Sequence, residues 1–121
     1  MELNEYQKRA MDTCLPESAN YSYMMLNLVG EVGELASKAA KAIRKGKAMI
    51  DVNQFITERG DKSMTDEELA EMRKEAGDVL WQLSGLCTVM GWSLDDVACE
   101  NLAKLQSRKE RGVVDGNGDN R

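Results

Sequence analysis

The chain has a single proline, Pro16, so everything after it is free of the residue that most firmly interrupts a helix. The stretch from Asn20 to about Arg44 exploits that freedom. Met25, Leu28, Val32, Leu35, Ala36, Ala39 and Ile43 recur there at i+3 and i+4 steps, which predicts a long amphipathic helix closed by Gly46. A shorter helix is expected from about Asn4 to Cys14, with Asn4 and Gln7 at capping-box spacing and Pro16 just beyond its end. Thr65 and Glu68 repeat that spacing and open a third helix, which reaches about Met90 and stops at Gly91. Ser93, followed by Leu-Asp-Asp, begins a fourth that runs to about Arg111. Between the second and third helices, Val52, Phe55 and Ile56 suit either a short amphipathic turn or a strand. Residues 112–121 have turn composition and are expected to form a flexible C-terminal loop. Four helices with short outer connections imply an all-α, four-helix-bundle-like fold, with one domain over residues 1–121 and no internal repeat.

What the chain lacks narrows its chemistry. It has no histidine, which removes imidazole-activated nucleophiles, H-E-x-x-H zinc sites and the Glu-x-x-His pairs of di-iron bundles. Any metal would meet oxygen donors, which favours Mg2+ or Mn2+. A net charge of −5 argues against a nucleic-acid polymer as partner. If the ligand is a phosphate compound, its charge must be met by bound cations, by a local basic cluster, or by both. Cys14, Cys87 and Cys99 form no ligand spacing and read as reduced thiols, with Cys87 and Cys99 at positions suited to small buried residues. No segment has the ~18 apolar residues of a membrane span, so a cytoplasmic protein is expected.

Glu31 and Glu34 stand at i and i+3 on the second helix, and Glu75 and Asp78 repeat that spacing on the third. Glu31 and Glu75 fall at the edges of their apolar stripes, where two helices meet. Two like-charged pairs there are costly without a divalent cation, whereas four oxygen-donor side chains are what such a cation prefers. The plainer alternative is solvated surface charge paired with Lys38 and Lys74. Gly30, Gly33 and Gly77, beside these carboxylates, each cost up to ~1 kcal/mol relative to Ala in a helix and suggest close helix approach or room for a ligand. Lys104, Arg108 and Arg111 share a face of the fourth helix, with Lys109 to one side, and could meet phosphate oxygens. Trp81 suits the core, while Tyr21 and Tyr23 are candidates to stack on a base.

The segments Leu28-Val-Gly-Glu-Val-Gly-Glu-Leu-Ala and Glu75-Ala-Gly-Asp-Val-Leu-Trp together resemble the signature of the MazG-like, all-α nucleoside triphosphate pyrophosphohydrolases. Gly30 stands where the stricter motif has an adjacent glutamate, and the insert between the motifs is longer than in compact members. The stretch from Asn101 to Arg111 and the terminal Gly116-Asn-Gly-Asp-Asn-Arg resemble the end of bacterial and phage members. The resemblance implies Mg2+ held by Glu31, Glu34, Glu75 and Asp78. It also implies hydrolysis of (deoxy)nucleoside triphosphates between the α and β phosphates for nucleotide pool control. Substrate contacts are expected from Lys104, Arg108, Lys109, Arg111, Arg121, Tyr21 and Tyr23, in a homodimer or homotetramer. The competing reading is a non-catalytic helical interaction or oligomerisation protein whose carboxylate pairs are structural charge.

Overall fold

The computed structural model describes residues 1–121. Four helices account for most of the chain: α1 (Leu3–Met11), α2 (Tyr21–Arg44), α3 (Asp66–Val89) and α4 (Leu94–Glu110). Between α2 and α3 lies a two-stranded antiparallel ribbon, β1 (Met49–Asp51) and β2 (Gln54–Ile56), paired Met49 to Ile56 and Asp51 to Gln54. The fold is all-α apart from this ribbon. Its turn carries Val52 at φ 56°, a left-handed conformation that a β-branched residue seldom adopts, so propensity alone does not point to a hairpin here. No helix is long and apolar enough to cross a membrane.

The helix starts at Thr65 and Ser93 are capped as their sequences suggest, and Asn20, where the second helix is expected to begin, proves to be its cap. Asn20 accepts from the Tyr23 N–H, Thr65 and Glu68 close a full capping box, and Ser93 Oγ accepts from the Asp96 N–H. The start of α1 differs. Its N-cap is Glu2, with no side-chain cap, and the helix ends at Met11, short of Cys14. Asn4 and Gln7 serve another helix. The Leu94 N–H donates to Gln7 Oε1 at 2.8 Å, and the Asp95 N–H and Ser93 Oγ donate to Asn4 Oδ1 at 3.1 and 2.8 Å. Gln7 Nε2 also donates to the Trp92 carbonyl and Thr88 Oγ1, so α1 clamps the α3–α4 corner. Trp81 Nε1 donates to the Ala10 carbonyl and Thr13 Oγ1, fixing the other end of α1 to α3.

Helices α2 and α3 form the central antiparallel pair. Met24 of α2 meets Gly85 of α3 at one end, and Ala42 packs with Ala48 and Met64 against Met72 at the other. The inner stripe of α2 is Met24, Leu28, Glu31, Leu35, Lys38 and Ala42. It is rotated by about one residue from the stripe expected on hydropathy, so Val32, Ala36 and Ile43 face outward and Glu31 faces in. The inner stripe of α3 likewise contains Met72, Glu75, Val79, Gln82 and Leu86. Cys87 is buried, whereas Cys99 is exposed, contrary to the small-apolar reading of that position.

At the ribbon end, Glu68 ties the first turn of α3 to the segment between α2 and β1. Its carboxylate accepts from Lys47 Nζ at 2.9 Å and from the Thr65 N–H at 3.0 Å. The Lys47 contact first, and the Thr65 N–H second, hold its carboxyl down to about 2 from the ordinary 4.5. A folded-state value below the unfolded one means that the stabilisation is present above pH 4.5 and drains away as pH falls toward 2. Wild-type denaturation midpoints should therefore drop across that acid window, and Glu68→Gln should lose part of that dependence.

Candidate metal centre

Because Glu31 and Glu75 lie on the two inner stripes, the central helix pair brings carboxylates face to face. One carboxylate oxygen each from Glu31, Glu34 and Glu75 lies within 4.8 Å of the other two. Glu34, one helical turn on from Glu31, is exposed at the rim. Asp78 is exposed one turn on from Glu75 and falls outside this tight set, but its charge reaches it. The Glu31 carboxyl is raised from its ordinary value, first by burial and then by the charges of Glu34, Asp78 and Glu75. Asp78 also reaches Tyr6 of α1, whose phenol is raised by burial and, after it, by that carboxylate.

Glu31 Oε2 and Glu75 Oε2 are buried and accept no hydrogen bond. Orphaned buried carboxylate oxygens are costly, and they suit a divalent cation seated among them. One protein cation is already present: Lys38 Nζ lies 3.3 Å from Glu75 Oε1, whose side chain is 12% exposed. Lys38 does pair with a carboxylate of the set, as the surface-charge alternative supposed, while Lys74 pairs with Glu71 at 2.7 Å. A single ammonium leaves the other carboxylates uncompensated. Lys38 lies two turns beyond Glu31 and one beyond Glu34, which sets it on the carboxylate face of α2.

The glycines divide by function. A Cβ at Gly33 or Gly77 would meet nothing within 4 Å, and one at Gly30 would meet only Asn27 Oδ1 at 3.4 Å. They leave open space beside the carboxylates and do not serve close approach of α2 to α3. That role belongs to Gly85.

The basic residues of α4 are placed elsewhere. Arg108 is only 4% exposed, and its guanidinium donates to the carbonyl of Asp119 at 3.0 Å and its carboxylate at 3.2 Å. Lys104 Nζ reaches the same carboxylate at 3.3 Å. Arg121 donates to the carbonyls of Val113, Val114 and Gly118, and Arg111 donates to the Arg121 carbonyl. Residues 112–121 are thus folded back on α4 by arginines, and Lys109 alone of the α4 candidates has no such partner. Tyr21 is exposed on the first turn of α2, and the Tyr23 hydroxyl accepts from Asn27 Nδ2 at 3.2 Å.

An all-α domain with a cluster of acidic side chains between its two longest helices, and no imidazole or thiolate near it, is the class defined so far. Residues 19–113 match the model of the MazG nucleotide pyrophosphohydrolase domain, and the chain belongs to that family. It is also 36% identical to the "Gene 37 protein" of Mycobacterium phage L5, over the full length of both chains. No solved structure matches it.

Proposed function

We propose that the chain hydrolyses nucleoside triphosphates between the α and β phosphates, yielding a monophosphate and pyrophosphate, with Glu31, Glu34, Glu75 and Asp78 holding Mg2+ or Mn2+. The observation that carries this reading is the pair of buried, unpartnered oxygens on Glu31 and Glu75, set within a carboxylate cluster. Family membership supplies the nucleotide chemistry. The cation, when bound, neutralises phosphate charge and polarises the reacting phosphorus.

In the overall step, the oxygen of water bonds to the α-phosphorus and the bond to the α–β bridging oxygen breaks. Pyrophosphate leaves with that electron pair, and the proton passes to a carboxylate of the set. Glu31 and Glu75 supply fixed, water-excluded anionic oxygens, while the rim carboxylates Glu34 and Asp78 remain open to an incoming ligand. Tyr21 and Tyr23 at the head of α2 are the base-contact candidates. In the conformation described, Lys109 is the α4 cation free to meet phosphate, with Lys104, Arg108, Arg111 and Arg121 engaged in the C-terminal fold.

A homodimer or homotetramer is part of the same reading. Only 12 of 121 residues are buried, too few for a domain of this size to stand comfortably alone. Leu26 and Val29 on α2, Leu80 and Leu83 on α3, and Leu102 and Leu105 on α4 are all exposed. A second copy of the chain would cover such faces.

Anion-exchange separation of the products tests the bond cleaved. Monophosphate with pyrophosphate is expected from nucleoside triphosphates, and diphosphate with inorganic phosphate would refute the α–β assignment.

A further inference from the structure

A cleft of about 200 Å3 opens between α2 and α3 beside the carboxylates, floored by Ala42, Met64 and Met72 and edged by Lys38, Lys41 and Lys45. The three lysines follow i+3 and i+4 steps, so they line one face of α2. Lys38 belongs both to this edge and to the carboxylate centre, through its 3.3 Å pair with Glu75. The cleft therefore begins where the acidic cluster ends.

Its charge is not balanced. Glu68 and Glu71 line the opposite edge, but each already has its own lysine, Lys47 at 2.9 Å and Lys74 at 2.7 Å. Lys41 and Lys45 form no ion pair. An unneutralised pair of ammoniums, with a third shared with Glu75, makes the cleft cationic within an acidic protein. The other basic cluster is closed, since Asp119 occupies Lys104 and Arg108.

We propose that this cleft binds the β and γ phosphates of the substrate, and then the departing pyrophosphate, with Lys41 and Lys45 as the anion-holding groups. The proposal deepens the pyrophosphohydrolase reading and rests on it. Lys38 would act as a positioning residue, its ammonium shared between Glu75 and the phosphate that arrives beside it. An uncharged nucleoside has an apolar floor to rest on here, but it leaves the free ammoniums without partners. A polyphosphate satisfies them by charge-assisted hydrogen bonds.

Calorimetric titration of the full chain with inorganic pyrophosphate, with divalent cations chelated, tests the cleft without any need for turnover. Wild type should bind, and Lys41→Gln with Lys45→Gln should weaken binding roughly tenfold or more, in keeping with the loss of charged donors. Lys8→Gln, on α1 and outside the cleft, should leave it unchanged. In turnover, the double variant should raise KM for triphosphate and relieve inhibition by added pyrophosphate, with a smaller change in kcat. Equal pyrophosphate affinity in wild type and double variant would overturn the proposal. So would protection of Lys41 from acylation by a nucleoside but not by pyrophosphate, which would make the cleft a base site. If no nucleotide is hydrolysed but the pyrophosphate affinity still depends on Lys41 and Lys45, the proposed activity fails while the anion cleft stands.

Discussion

Glu31→Gln should lower nucleoside triphosphate hydrolysis by about 100-fold or more, and should raise the melting temperature measured without divalent cation. The two effects have one cause. Glu31 faces the interior, where burial and the charges of Glu34, Asp78 and Glu75 all oppose its ionisation. A carboxyl raised above its unfolded value favours the fold fully below the ordinary 4.5 and loses that advantage as pH rises through its folded value. Once ionised, Glu31 therefore counts against the cation-free fold. The neutral amide keeps the shape, removes that repulsion, and removes one oxygen that a cation needs. With Mg2+ added, wild type should gain thermal stability and Glu31→Gln should gain less. A variant that was inactive and also destabilised without cation would point to a structural role for Glu31.

Gly85→Ala should destabilise the chain by about 1–2 kcal/mol. Met24 is fully buried, and a methyl at Gly85 would overlap its sulfur and terminal methyl group. Met is pliable, but with no solvent-exposed space to turn into, overpacking of this kind costs about 1–3 kcal/mol. Alanine returns up to ~1 kcal/mol of helix propensity, which leaves the net change unfavourable. Gly77→Ala on the same helix should move the other way in a stability measurement, because nothing lies within 4 Å of its added Cβ. Opposite shifts in denaturant midpoint from two glycine-to-alanine changes eight residues apart would verify the α2–α3 packing described here.

Those glycines show where the sequence could be read and where it could not. Helix spans from α2 onward follow from caps at Asn20, Thr65 and Ser93 and from stops at Gly46 and Gly91, all of them local signals. Gly85 carries no local mark of its role, since its requirement comes from Met24, distant in sequence. Asn4 and Gln7 have capping-box spacing for α1 and are used across the fold, on α4, which only tertiary contact decides. The α2 stripe differs by about one residue from the hydropathy pattern, which counts Val32 and Ile43 as inward. The chain leaves them exposed and turns Glu31 and Lys38 inward.

The carboxylates were legible because i, i+3 spacing on two helices is a strong geometric constraint. Their convergence to within 4.8 Å for Glu31, Glu34 and Glu75 was an expectation that the antiparallel pairing of α2 and α3 realises. The basic residues were legible as a cluster on α4, but not in their engagement. Arg108 is buried by a tail whose glycines and polar residues read locally as loop, and Asp119 lies eleven residues further on. Lys41 and Lys45 carry no local mark of a site, because the groove beside them is formed with Met64 and Met72, which are distant in sequence.

The most direct test of the central claim is pyrophosphate release from a panel of canonical and modified nucleoside triphosphates, with and without Mg2+, for wild type, Glu34→Gln and Asp78→Asn. The account predicts release that requires the cation, differs among the nucleotides, and is lost in both variants while they remain folded. No release from any nucleotide by the folded wild-type protein, or equal release without cation and in both variants, would contradict it.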